Sequence, residues 1–154
     1  MTHRVAVIDP NYASRERVRS LLLRDQRICI AVSDASDIAA MSARARRFTW
    51  ACLVCDGPIE LAERQIAALR HAIAPDLPML VAVPRVHAEA VRVLLAPHDG
   101  VMALPCPELQ LAARLVDFAR VHQPRPRPRS STSTGQARAA ALRPPADAPR
   151  SRRT

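Results

Sequence analysis

The feature that most constrains this chain is a set of five short aliphatic runs with no polar alternation inside them. They are Val5-Ala6-Val7-Ile8, Ile28-Cys29-Ile30-Ala31-Val32, Trp50-Ala51-Cys52-Leu53-Val54-Cys55, Met79-Leu80-Val81-Ala82-Val83 and Val101-Met102-Ala103-Leu104. Apolar runs this short, bounded by turn residues and rich in β-branched side chains, read as strands with both faces buried. Strands of that kind belong to parallel sheets, whose crossover helices cover both faces.

The segments between the runs carry apolar residues at helical spacing. Val18, Leu21 and Leu22 mark a first helix ending near Arg24, with Ser14 expected as its cap. Ser33-Asp34-Ala35-Ser36-Asp37 reads as a polar turn into a short helix over 37–47, with Ile38 and Met41 inward and Arg44, Arg46 and Arg47 outward. Leu61, Ile66, Leu69 and Ile73 mark a third helix over 59–73, stopped by Pro75 and Pro78. A fourth is expected from His87 to Leu95, closed by Pro97-His98-Asp99-Gly100. A fifth spans Glu108 to Val121, with Leu109, Leu111, Ala112, Leu115, Val116 and Phe118 as its apolar positions and Pro107 at its start.

Strand and helix alternate five times. Right-handed crossovers then give a doubly wound α/β fold, a five-stranded parallel sheet of the flavodoxin-like order 2-1-3-4-5. That order sets the first and third strands side by side, and each run stops on a carboxylate. Asp9 follows the first; Asp56 follows the third, just before the break at Gly57-Pro58. Ligands in open α/β sheets collect beyond the strand C-termini. Asp9 and Asp56 are therefore the candidate site. Asp9 reads first as a turn or capping residue beside Pro10, and second as a metal ligand.

Charge separates the chain into two parts. Residues 1–122 carry 15 Arg and 13 acids, a balance of +2, whereas residues 123–154 carry 8 Arg and one acid, Asp147, a balance of +7. The second part opens on Pro-Arg-Pro-Arg-Pro-Arg and continues in Ser, Thr, Ala, Arg and Pro, a composition that cannot bury a core and is expected to be disordered. Eight arginines can contact the phosphates of nucleic acid or an anionic surface, without base reading because no aromatic accompanies them. All 23 basic residues are arginine; there is no lysine. No run reaches the ~18 apolar residues of a membrane span, and no apolar leader precedes the first strand, so the expected location is the cytoplasm.

Cys52-x-x-Cys55 has redox spacing, but residues three apart in a strand face opposite ways. Buried, reduced thiols are the expectation. Cys106, between two prolines beside the presumed site, is read as a small loop residue. His87 and His98 are isolated and are assigned no chemistry.

Element order and the placement of the two acids resemble the receiver domain of two-component response regulators. The resemblance covers residues 4–122. It rests on Arg4-Val-Ala-Val-Ile-Asp9, Cys52-Leu-Val-Cys-Asp56, Pro78-Met-Leu-Val-Ala-Val83 and Gly100-Val-Met-Ala-Leu-Pro105. In that family the Asp after the third strand accepts a phosphoryl group from phosphohistidine, and acids after the first strand help to hold Mg²⁺. A lysine after the fifth strand neutralises charge, while a hydroxyl residue after the fourth strand and an aromatic on the fifth report the modification. The resemblance makes Asp56 the phosphoacceptor-equivalent and Asp9 with Asp56 the remnant of the metal site.

This chain departs at four positions. Pro10 stands for the second acid, Val83 for the hydroxyl, Leu104 for the lysine and Val101 for the aromatic. Phosphoryl transfer depends on positioning and charge stabilisation. The expectation is a degenerate, pseudo-receiver-like module and not an enzyme. It needs no cofactor and binds protein partners through the fourth helix, fifth strand and fifth helix, the face this family commonly uses. Phosphorylation of Asp56 by a histidine kinase is the alternative, and a nucleic-acid-binding accessory protein acting through its tail is a third.

Overall fold

A computed structural model describes residues 2–26, 28–41, 47–72 and 75–124. The strands are β1 (His3–Ile8), β2 (Ile30–Ala35), β3 (Trp50–Val54), β4 (Met79–Pro84) and β5 (Gly100–Leu104). The helices are α1 (Tyr12–Arg24), α2 (Ile59–Ala72), α3 (Ala88–Leu94), preceded by a 3₁₀ turn over Arg85–His87, and α4 (Glu108–Val121). All strand pairings are parallel and the order is β2-β1-β3-β4-β5. This is the flavodoxin-like, doubly wound sheet expected from the alternation of elements.

The aliphatic runs exist because the middle of the sheet has two covered faces. Val5, Val7, Cys52, Val54, Leu80 and Ala82 face one layer, where Val18 and Leu22 of α1 meet Leu111, Leu115 and Phe118 of α4. Ala6, Ile8, Leu53, Cys55, Val81 and Val83 face the other, where Ile66 and Leu69 of α2 meet Val91 of α3. A polar residue at any of these strand positions would enter one core or the other, so the runs show no alternation. With so few aromatics, Trp50 and Phe118 anchor the first layer, edge-on at 5.1 Å between ring centroids.

Several boundaries differ from expectation, each for a local reason. The cap of α1 is Asn11, not Ser14: Asn11 Oδ1 accepts from the Ser14 backbone N–H at 3.0 Å. An amide side chain one residue before the helix thus satisfies a free first-turn donor. β2 runs from Ile30 to Ala35, so Ser33, Asp34 and Ala35 are strand residues opposite Ala6, Val7 and Ile8, not turn residues. At the sheet edge a polar strand end is tolerated, and the Asp34 carboxylate is neutralised by Arg15 at 3.1 Å and Arg19 at 3.2 Å, both from α1.

In the segment expected as a helix over 37–47, residues 39–41 form a 3₁₀ turn with Ile38 and Met41 buried as expected. Arg44 and Arg46 lie outside the described residues, as does Ile73 of the third expected helix. The fourth expected helix starts as the 3₁₀ turn and is helical only from Ala88. α4 has the expected bounds, but Leu109 points outward, 86% exposed. The disorder expected after residue 123 concerns residues that, from 125 onward, lie outside the described part, as do the nucleic-acid and anionic-surface contacts expected of them.

The opposite end of the sheet from the candidate site is held by one buried carboxylate. The Asp99 side chain is fully buried and accepts hydrogen bonds from Met79 N at 3.0 Å and Ala96 N at 2.8 Å, and it pairs with Arg70 of α2. Arg70 also donates to the carbonyls of Pro75 and Leu77, each at 2.9 Å. This cluster ties the end of α2, the start of β4 and the turn into β5 together. Among the described residues no helix is long and apolar enough to cross a membrane.

Candidate functional site

β1 and β3 are hydrogen-bonded neighbours, with Ile8 opposite Leu53. Their chain continuations therefore emerge side by side at the C-terminal edge, and Asp9 and Asp56 line one cleft of about 510 Å³. Of the positions expected there, Pro10 and Leu104 also line it. Val83 and Val101 do not. Val83 is fully buried in the layer under α2 and α3, and Val101 packs against that same layer. Pro84, one residue beyond Val83, lines the cleft instead.

The two carboxylates have different surroundings. Asp9 is 2% exposed. Its Oδ1 accepts from the Asn11 backbone N–H at 2.9 Å, which makes the tight turn into α1. Its Oδ2 is buried without a hydrogen-bond partner. A buried charged oxygen left unpaired is costly. Asp56 is exposed, and no hydrogen bond or ion pair holds its side chain among the described residues. The turn role expected for Asp9 is thus performed by one of its two oxygens, while the other is spare.

Arg17, and Ser14, expected only as a helix cap, were not expected at the site, yet both line the same cleft from α1. They are three residues apart and so share a helix face; that spacing was the available signal. Arg17 donates Nη2 to the Cys106 carbonyl at 3.3 Å, which fastens α1 to the segment after β5. The Leu104–Pro105 peptide bond in that segment is cis. Val54, Leu61 and Pro105 complete an apolar wall, with Leu104 where the resemblance implies a lysine.

Mg²⁺ takes oxygen ligands, keeps several waters and uses one or two carboxylates. Asp9 and Asp56 supply two oxygen donors facing a common space, so they meet the lower limit for such an ion. Among the described residues no group of three or more His, Cys, Asp or Glu side chains is placed to hold a metal.

The cysteines separate as strand geometry dictates. Cys52 lies in the layer under α1 and α4, and Cys55 in the layer under α2 and α3. Burial, with the nearby Asp9 charge adding to it, pushes both thiols up to about 12. Lying in opposite layers of the sheet, the two thiols do not face one another as a redox or metal-binding pair would. Cys106 is half-buried at the cleft wall and Cys29 is exposed.

The expected partner face wraps the β5 edge. α3 exposes Val93 at 85%, and Leu109 stands out from α4, with Val86 in the 3₁₀ turn also exposed. Val101 and Leu104, both expected on this face, point to opposite sides of β5: Val101 packs beneath α3, and Leu104 packs against the layer of α1 and α4.

No protein-family model matches the chain, and no curated protein matches it. Solved structures do. One is a CpaE2 pilus assembly protein from Sinorhizobium meliloti, with a TM-score of 0.53 and 13% sequence identity over 75% of this chain and 98% of that one. At that identity the likeness is one of fold.

Proposed function

We propose that this chain is a receiver-like signalling module of the cytoplasm that works through protein–protein contacts and not through phosphorylation of Asp56. The observation that carries the reading is the wall opposite Asp56, where Leu104 presents an aliphatic chain to the cleft. A phosphoryl group brings about two negative charges near neutral pH. The lining cation, Arg17, is exposed and already bonded to the Cys106 carbonyl. Losing one preorganised charge partner costs about 3 kcal/mol, roughly a hundredfold in rate. With Val83 and Val101 packed in the core layer and away from the cleft, a modified Asp56 would also make no contact there that distinguishes two conformations.

The partner surface in this reading is the α3–β5–α4 face, where Val93 and Leu109 are exposed. The fold likeness to a pilus assembly protein suits a role in protein assembly.

A second reading, a stand-alone phosphoacceptor served by a histidine kinase, is supported by the exposure of Asp56 and its sharing of a cleft with Asp9. The two are separated by incubating the protein with Mg²⁺ and either a small-molecule phosphodonor or beryllofluoride, with Asp56→Ala as control. The first reading expects no adduct by mass and no Asp56-dependent change in backbone chemical shifts. A Mg²⁺-dependent adduct that vanishes in Asp56→Ala would refute it.

A further inference from the structure

We infer that the cleft is a receptor for an arginine side chain, and that the arginine-rich segment 125–154 of this same chain supplies it. The inference is independent of which partner the α3–β5–α4 face binds.

The cleft asks for a cation. Asp9 Oδ2 is buried and unpartnered, in a residue only 2% exposed that lines the cleft. Asp56 lines the same space with no partner among the described residues, and Arg17 is the single cation among the lining residues, so two carboxylates face one guanidinium. The excess of one charge matches a monocation. The walls decide which kind. Val54, Leu61, Pro84, Leu104 and Pro105 offer apolar surface, from which a hydrated metal ion gains nothing. A guanidinium on a three-carbon stem gains on both counts, because the stem packs against apolar wall while the planar head bonds carboxylate oxygens. A volume of about 510 Å³ is ample for one such side chain with water.

The donor is already tethered. Residues 123–154 hold eight arginines and one acid. α4 begins next to the cleft, directly after Cys106 and Pro107, and its 14 residues carry the chain away from it by about 21 Å. The sequence continues for 30 residues beyond Pro124; a coil of that length would have a root-mean-square span of about 30 Å, enough to return that distance. A tether of this length raises the local arginine concentration to the order of millimolar. A site with a dissociation constant at or below about 1 mM is then at least half filled in cis. A cleft filled in this way has its acids neutralised from within, and a competitor for the tail would release them.

The test compares backbone amide spectra of the full-length protein with a full-length variant carrying glutamine at all eight arginines between 125 and 153, at about 20 mM salt, where charges are weakly screened. The expected result is a set of shift differences at Asn11, Ser14, Gly57 and Cys106, lost in 0.5 M salt. The same set should be lost when Asp56→Asn is introduced into both chains; Asp56 is exposed, so that substitution leaves the fold intact. Adding N-acetyl-arginine amide to the glutamine variant should restore the shifts in the wild-type direction. Absence of any cleft difference between the two chains would overturn the inference, as would differences that survive Asp56→Asn. Shifts that grow with protein concentration would equally overturn it, by assigning the tail to a second copy. Shifts produced by Mg²⁺ and not by the arginine amide would make the cleft an inorganic cation site and overturn it as well.

Discussion

The most decisive perturbation of the fold is Asp99→Ala. The Asp99 carboxylate is fully buried and receives Arg70, Met79 N and Ala96 N. Truncation leaves a guanidinium that is only 19% exposed without its carboxylate, and strips two backbone amides of their acceptor. Breaking a buried ion pair from one side costs about 3–5 kcal/mol, and an orphaned buried amide about 1–3 kcal/mol. These overlap, because water entering the vacated volume serves more than one donor, so about 4 kcal/mol is expected. Against a typical total of about 5–15 kcal/mol this leaves a marginal domain, with a melting temperature lower by roughly 15 °C. Asp99→Asn should cost less, since one carbonyl oxygen still accepts from one amide. Arg70→Met should approach the alanine cost, because it leaves the carboxylate buried with two amides and only the His98 ring, Nε2 at 3.5 Å, beside it. Urea unfolding read by Trp50, the single tryptophan, fully buried against Phe118, reports each variant. A loss below 1 kcal/mol for Asp99→Ala, with unchanged m-value, would refute the assignment of this cluster as the clamp of the sheet end opposite the cleft.

Four further outcomes are expected. Titration with a thiol reagent at pH 8 should modify Cys29 fast and Cys106 more slowly, with Cys52 and Cys55 reacting only after denaturant is added, because their thiols stand at about 12 and are buried. Burial holds the imidazoles of His3 and His122 below the usual histidine value, with the N-terminal charge adding to it for His3 and the His98 charge for His122. The unfolded chain then binds more protons as pH falls through about 6.5; stability should drop on acidification from pH 7.5 to pH 5.5, and less steeply in His122→Gln. Gly100→Ala should destabilise by about 1 kcal/mol, since a Cβ there would sit 3.0 Å from Leu80 Cδ1 and 3.3 Å from Phe118 Cε2; an unchanged melting temperature would show that Leu80 and Phe118 yield freely. Asp9→Asn keeps an acceptor for Asn11 N and removes a buried charge that has no partner among the described residues; in 0.5 M salt, where a tail arginine is screened off the cleft, it should leave stability equal or raise it, and a fall above 1 kcal/mol by thermal melt would contradict that.

The fold was legible because its constraint is one-dimensional. A strand with two covered faces has no room for a polar residue, and the three central strands announce themselves as unbroken apolar runs. The edge strand β2 obeys no such rule. Its Ser33-Asp34-Ala35 end reads as a turn in sequence, and only the α1 arginines at 15 and 19 make a carboxylate acceptable there. Asp99 was equally hidden. Beside Pro97 and Gly100 it looks like ordinary turn chemistry, and nothing local says that Arg70, 29 positions earlier, reaches it. Interactions made across the sheet end opposite the cleft leave no periodic trace in the sequence.

The cleft was half legible for a different reason. Strand order predicts which loops meet, so Asp9 and Asp56 could be paired before any coordinates. Strand parity then separates the residues that cannot join them: Val83 and Val101 face the layer under α2 and α3, and the cleft is closed instead by Pro84, Leu104 and Pro105. What parity cannot give is the state of each oxygen. Asp9 reads as a turn residue, and one of its oxygens is; the other is buried at the cleft with no hydrogen-bond partner among the described residues. The turn accounts for an acceptor at position 9, which an asparagine would also supply, but not for a charge. Nor does packing account for Asp56, which is exposed and tied to nothing in the described fold. The two charges are therefore surplus to folding. A surplus of negative charge in an apolar-walled cleft, on a chain with 23 arginines and 14 acids, selects for a cation with an aliphatic stem.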